Sequence, residues 1–426
     1  MSQPFLYGGI ISITQRLKCM IKLGTKGSSG HYLYLYDDNT PILLPCLFAR
    51  FTQVAGYKIK SESIFEPATS KVTVRLEEVE IGTETGYLIC NRIGKFLEWV
   101  EDYQKITGVS LDTHSALPED VLNEFINDYL IDESGKSFEA VNKYVDALNS
   151  YYSFLTRFFN SKPRRIGIYP EYRAMARSNS SSKNGIKYLL PSSRELFYSN
   201  ASSLLQEIVL RNGGELGCRT SENQGFLLSD FKAGNVKYDG ILTLFNKLDK
   251  NPNQEEFEYH LSSLWTKYGR SRTLYLPCYL LKLMRKYYIQ ERPASNSDHL
   301  FVSNSDQNRG KPISKSYGSR SMAEVRIIVK KKIEATPSLY KSIQEIQPCH
   351  TYHVLRHSFG TDLFYNMCQG ENKSFESITT ESSIYLETAR RMGHKVDHAH
   401  SSDVTKRYIH ACGYRQALEK GIANGL

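Results

Sequence analysis

Near the C-terminus the chain reads His353-Val354-Leu355-Arg356-His357-Ser358-Phe359-Gly360-Thr361, then Gly393-His394, then Thr405-Lys406-Arg407-Tyr408-Ile409-His410. A histidine and an arginine three apart share one face of a helix. A second histidine and a tyrosine among basic residues complete the set. Breaking a phosphodiester with a side chain requires a positioned nucleophile, neutralised equatorial oxygens and a proton for the leaving alkoxide. Arginine suits the second task, because its planar fork binds two oxygens and stays charged. Lysine and histidine suit the third, because their protons are transferable near neutral pH. The residues therefore describe a site that grips a phosphate and attacks it with a phenol, which is the chemistry of DNA strand exchange.

The elements that must position such a site are read from the rest of the chain. Its 426 residues allow two to four domains, and the net charge of +9 favours a polyanionic partner. Eight cysteines are scattered with no C-x-x-C pair, which fits free thiols in a reducing compartment rather than a zinc ribbon. Phe5 to Ile13 is apolar but has no basic region before it and no cleavage site after it. With no apolar run near the roughly 20 residues of a membrane span, the expectation is a soluble, cytoplasmic protein.

Residues 1–90 read as β-rich. His31 to Tyr36 is strand-like, Pro41 to Leu44 reads as its return, and Lys71 to Ile81 alternates apolar and polar residues. Gly24 to Gly30 lacks the terminal G-K-[ST] of a phosphate loop and is read as a hairpin loop. Residues 91–170 are predicted helical: Ile93 to Ile106, Pro118 to Leu130, and Ser137 to Phe159 with its apolar period of three to four. The basic stretch Lys162, Arg164, Arg165, Arg173, Arg177 and Lys183 follows, with 171–185 read as a flexible linker and these cations as candidate DNA-backbone contacts. Residues 186–426 are expected to be mainly helical with a small β element. There Ser203 to Leu210 would be a helix ended by Gly213-Gly214, and Trp265 to Lys267 and Leu274 to Leu276 would flank a hairpin turn. Ser321 to Ala335 reads as a basic helix. The fold class is thus mainly α with small β elements (α+β).

His353-x-x-Arg356-His357 with Gly360-Thr361, then Met392-Gly393-His394, then Tyr408-Ile409-His410, resembles the tyrosine recombinase family of phage-type integrases. Upstream, Gly217-Cys218-Arg219-Thr220-Ser221-Glu222 is similar to the family's first arginine motif. Trp265-Thr266-Lys267-Tyr268-Gly269, with Arg272-Thr273 and Leu276-Pro277, is similar to its lysine-bearing β-hairpin. The motifs stand in family order over residues 186–426, and the helical segment before them resembles a core-binding domain more loosely. The chain departs from the family in the insertion-like, partly acidic stretch Asn246 to Tyr259 between Arg219 and Lys267. It departs again in the long interval from His394 to Tyr408, and in Met392 where leucine is usual.

The resemblance implies a role for each matched residue. Tyr408 would be the nucleophile forming a 3′-phosphotyrosine, with Tyr414 and Tyr385 as competing phenols. Arg219 and Arg356 would clamp the non-bridging oxygens, and Lys267 would protonate the 5′-oxygen. His353 would assist proton transfer, His394 would hydrogen-bond the phosphate, and Glu222 would support the arginines. The expected activity is site-specific recombination by the integrase of a mobile element, needing no metal, ATP or other cofactor. The alternatives are a DNA-binding protein with lost catalysis and a type IB topoisomerase-like nicking-closing enzyme. The expected partner is double-stranded DNA at two recombination sites. A homotetramer would form on that DNA, the helical and catalytic domains would clamp the duplex, and an accessory protein is a further candidate partner. In a bacterial host the protein would be nucleoid-associated. Residues 1–90 would bind arm DNA or a partner. A zinc site on His394, His398 and His400 is set aside, because no cysteine or carboxylate stands at ligand spacing.

Overall fold

The computed structural model describes residues 20–23, 32–36, 38–66, 71–107, 111–181, 188–341, 343–379, 381–394 and 403–420, the last with only a helical backbone over 403–410. The Gly24–Gly30 loop, Lys183, His398 and His400 lie outside these residues. The chain is mainly α with small antiparallel β pairs and divides into two compact units, 1–184 and 185–426. Among the described residues no helix is long and apolar enough to cross a membrane.

The first unit contains β1 (Met20–Leu23), β2 (Tyr32–Leu35), α1 (Leu43–Arg50), β3 (Tyr57–Glu66), β4 (Lys71–Glu80), α2 (Thr83–Thr107), α3 (Glu119–Glu124), α4 (Phe138–Phe159) and α5 (Tyr172–Ser181). Strand β3 pairs with β4 from Tyr57 opposite Glu80 to Glu66 opposite Lys71. Helix α4 starts where sequence places it, because the Ser137 hydroxyl accepts the Ala140 N–H at 3.4 Å. It ends where Asn160 turns left-handed at φ 53°.

The expected boundary at residue 90 has no counterpart. Tyr32, Tyr34, Phe48 and Ile59 are buried in the same apolar core as Phe96, Leu97, Tyr151 and Leu155. Each such side chain is worth about 1.5–3 kcal/mol when buried, so the β-rich segment and the helices stabilise one another. Pro41 returns only as an isolated bridge to Leu35 before α1 begins. The expected linker 171–185 is largely helix: α5 packs on this unit through Asn179, whose amide donates to the Ile131 carbonyl at 3.0 Å. The Arg177 guanidinium in α5 also covers the Phe138 ring at 5.5 Å.

The second unit contains α6 (Pro191–Tyr198), α7 (Leu204–Glu215), β5 (Phe231–Ala233), β6 (Val236–Tyr238), α8 (Ile241–Lys250), β7 (Glu256–Leu261), β8 (Arg272–Pro277), α9 (Cys278–Gln290), α10 (Tyr317–Ala335), α11 (Tyr352–Gly370), α12 (Ser383–Arg391) and α13 (Asp403–Glu419). Gly213 and Gly214 do not end α7, which runs on to Glu215. They let it lie directly against the rings of Tyr352 and Tyr198. The hairpin exists, but β8 pairs with β7, which comes from the acidic stretch read as an insertion. Trp265 to Lys267 lies in the connection. Helix α11 is buried on almost every side, with Val354, Leu355, Arg356, Ser358, Thr361 and Phe364 all covered.

Candidate active site

Glu222 is fully buried, and three guanidiniums converge on it. The chain reaches it by leaving α7 through Gly217, left-handed at φ 62°, where a side chain would strike the Phe359 ring. Arg219 then caps the short turn Thr220–Gly225: its N–H donates to Glu222 Oε2 at 2.8 Å and its Nη1 pairs with Oε1 at 2.6 Å. Arg356 arrives from the covered face of α11. It donates to the carbonyls of Gly217 and Met392 and stands 3.8 Å from Oε2.

The third guanidinium is Arg272, which the sequence reading left without a role. Its Nη2 donates to Glu222 Oε2 at 2.8 Å and to the Gly217 carbonyl at 3.1 Å. Its Nη1 donates to the carbonyls of Arg391 and Leu216. Strand β8 alternates buried and half-buried, and Arg272 shares the buried face with Leu274 and Leu276. A lone arginine among inward-facing leucines is the signal that marks it.

His394 sits on the turn that ends α12. Gly393 adopts φ 64°, its N–H donates to the Arg390 carbonyl, and the His394 N–H donates to the Ala389 carbonyl, both at 2.9 Å, which closes a Schellman motif. A side chain at Gly393 would come within 2.9 Å of Arg272 Cδ. The Gly-His pair is therefore required twice, for the backbone turn and for room beside the arginine. His394 Nε2 lies 3.5 Å from Arg356 Nη2.

The electrostatics follow from these contacts. Burial acts to raise the Glu222 carboxyl, but the guanidiniums of Arg272, Arg356 and Arg219 outweigh it and hold it down at about 2. Burial and the same three cations press the imidazole of His394 down to about 3, so at neutral pH it is uncharged and can donate one N–H. One carboxylate against three permanent cations leaves the cluster with a surplus of positive charge.

Lys267 is exposed on the connection between β7 and β8, five positions before Arg272. That connection is seated by the turn Ser263–Trp265 against the turn Thr220–Gly225. The Trp265 ring meets the His299 ring at 4.9 Å, and His299 Nδ1 lies 2.6 Å from the Gln224 carbonyl. His353 is exposed in the first turn of α11, its ring edge-on to His357 at 4.4 Å. The backbone of Tyr408 lies on α13, and its side chain is outside the described residues.

Helix α13 is tied down beyond Tyr408. Arg415 pairs with Asp362 of α11 at 2.8 Å and covers the Tyr365 ring at 4.3 Å, and Gln416 donates to the Tyr365 hydroxyl at 3.3 Å. The two competing phenols are occupied in packing. Tyr385 is 1% exposed, and Tyr414 packs with Tyr188 and Leu418. In the first unit Lys162, Arg165, Arg173 and Arg177 are exposed and Arg164 is half-buried. The structure thus brings Arg219, Glu222, Arg356 and His394 together and adds Arg272 to them.

No family model matches the chain, and no curated protein does. Among solved structures the chain is similar to a lambda integrase (residues 75–356) dimer bound to a COC' core site. The identity is 12%, the match covers 77% of this chain and 89% of that one, and the TM-score is 0.43. It is also similar to the Tn1549 transposon integrase (residues 82–397) in complex with circular intermediate DNA, at 17% identity over 88% of this chain and 99% of that one, with a TM-score of 0.42. A third is an integrase from mycobacterium phage Brujita, at 11% identity over 77% and 92%, with a TM-score of 0.27.

Proposed function

We propose that this chain is a tyrosine-type site-specific DNA recombinase that cuts and rejoins DNA through a covalent phosphotyrosine. The observation that carries the reading is the cluster of Arg219, Arg272 and Arg356 around one buried carboxylate with the uncharged His394 beside it. Such a cluster concentrates positive charge and hydrogen-bond donors where a pentacoordinate phosphate would gather negative charge. Its members are fixed before any ligand arrives, so little reorganisation is needed at the moment of reaction.

In this reading Arg219 and Arg356 neutralise the non-bridging oxygens of the scissile phosphate, and His394 donates an N–H to one of them. The Tyr408 oxygen forms the new bond to phosphorus as the bond to the 5′-oxygen breaks. His353 takes the phenolic proton, and Lys267 delivers a proton to the departing oxygen. A second DNA strand's 5′-hydroxyl then attacks the phosphotyrosine and restores a phosphodiester, so the bond energy is kept through the exchange. Charge and protons come from the chain's own groups. Lys162, Arg165, Arg173 and Arg177 would add backbone contacts, and a tetramer on two DNA sites is the expected assembly of the integrase of a mobile element.

The test is covalent trapping in cells. Wild type and Tyr408→Phe are recovered under denaturing conditions and the attached DNA is sequenced. DNA ending at a defined position in wild type alone is the expected result. Repeated absence from both would support a DNA-binding role without catalysis. Equal adducts in both would move the nucleophile elsewhere. Relaxation of any supercoiled plasmid without sequence preference would favour a topoisomerase.

A further inference from the structure

A cavity of about 430 Å³ opens beside His394. Arg270 and Arg272 line it from the hairpin and Arg390 and Arg391 from the end of α12, with Glu387 the one carboxylate among the described lining residues. Arg272 is committed to Glu222 and to main-chain carbonyls. Arg391 covers the Tyr275 ring at 4.4 Å and pairs with Glu387 at 3.1 Å, which together hold its position. The Arg390 side chain is 70% exposed and also reaches Glu387. Apart from Arg272, that leaves three guanidiniums, Arg270, Arg390 and Arg391, against a single acid, and they form an anion site, since a shared phosphate offers them charge-assisted hydrogen bonds that Glu387 alone does not supply. A larger cavity of this unit, beside Tyr238 and His260, mixes Lys237 and Lys247 with Asp239, Glu256 and Glu258 and has no such surplus, and one of about 360 Å³ sets Lys282, Arg285 and Lys286 against Asp249 but is not lined by His394 or by any of the site's arginines.

We propose that this cavity is a second phosphate subsite, taking the DNA backbone phosphate next to the one held by Arg219, Arg356 and His394. The assignment rests on the recombinase reading above and deepens it. His394 is common to both: its Nε2 lies 3.5 Å from Arg356 Nη2, and the residue also lines the cavity. Two neighbouring phosphates of one strand would thus be gripped next to a single imidazole. That fixes the strand's direction as well as its position, and phosphate contacts of this kind set register.

The test is titration of a short duplex of arbitrary sequence into full-length wild type, Arg390→Gln and Arg270→Gln over a range of salt. Each variant is expected to bind about tenfold more weakly at physiological salt, the loss of one charge-assisted contact. The slope of log affinity against log salt should shrink by about one. Arg285→Gln, whose side chain pairs with Asp249 and lines no part of the cavity, should match wild type in both respects. Variants at 390 and 270 that also match wild type would overturn the subsite. So would inorganic phosphate binding that these variants lose while duplex affinity and slope stay unchanged, since the cavity would then take a free anion. The measurement needs only reversible binding, so it reads the same whether or not Tyr408 bonds to DNA. Wild type that binds no duplex would overturn the subsite and the recombinase reading together.

Discussion

Helix α11 serves two arginine–carboxylate clusters, and they are built to opposite ends. At Arg356 it joins Glu222, where three guanidiniums face one acid and an uncharged histidine. Six residues on, at Asp362, it meets Arg194 of α6 and Arg415 of α13, and Glu419 takes the other side of Arg415 at 2.9 Å. Tyr188 completes that second cluster by donating its hydroxyl to Asp362 at 2.7 Å. Two cations meet two acids there, and the charge is spent inside the fold. At Glu222 it is not. A buried arginine cluster points to a ligand when its carboxylates leave charge over, and to a structural clamp when they do not. The clamp at Asp362 has its own consequence, since it fastens the helix that bears Tyr408.

The largest expected effect comes from breaking the first cluster at its centre. Glu222→Ala leaves three guanidiniums packed together without their anion and should cost about 3–5 kcal/mol of unfolding free energy, measured by urea denaturation. A loss below about 1 kcal/mol would mean that the cations do not depend on it. Arg219→Gln separates charge from stability: its side chain is 20% exposed, so the melting point should move little while adduct formation falls about 10²–10³-fold. Parallel losses of both would place Arg219 with the structural clamp. Asp362→Asn keeps the shape but leaves Arg194 and Arg415 facing a neutral amide, at about 2–3 kcal/mol. Because that cluster keeps no surplus, the salt dependence of DNA binding should not change, and a changed slope would break the distinction.

The smallest effect at any one step is the response to acid, read one pH unit at a time. Between pH 6.5 and about 3 an unfolded chain holds the His394 proton and the folded chain does not. Between 4.5 and about 2 the same holds for Glu222. In both windows the unfolded state binds more protons, so stability rises with pH and drains away as pH falls below 6.5. Each group contributes a slope of at most about 1.4 kcal/mol per pH unit. His394→Gln should reduce the upper part of the slope in pH-dependent melting and leave the lower part; His350, which burial and the Arg326 guanidinium hold down at about 4, keeps its own share of the upper part. A His394→Gln profile that keeps the wild-type slope between pH 6.5 and 4 would contradict the histidine's environment, since Glu215, which burial raises to about 7, opposes the histidines in the wild-type profile itself.

Much of the site was readable from residue types and order, because Arg219, Glu222, Arg356 and His394 each stand in a short motif that also fixes local backbone. Gly217 and Gly393 turn the chain next to two of them. Arg272 was not readable in this way. It lies within a strand, its partners are mostly peptide oxygens, and only the burial of its neighbours Leu274 and Leu276 betrays it. The first unit shows a related difficulty. The alternation of Tyr32 and Tyr34 marks a strand with a covered face, but nothing local says that α2 and α4 are what cover it. The strand β7 was hidden for another reason: Glu256, Glu258 and their neighbours give it an acidic outer edge that reads as an inserted loop.

The acceptors that hold Arg272 and Arg356 carry a consequence for how this protein can diverge. Apart from Glu222, they include the main-chain oxygens of Leu216, Gly217, Arg391 and Met392. Every amino acid supplies such an oxygen, so two versions of this chain can differ at 216, 391 and 392 and still aim the same two guanidiniums at the same point. Only the path of the backbone matters there, and Gly217 and Gly393 are the letters that spell it. A site fastened in this way can outlast most of the text around it.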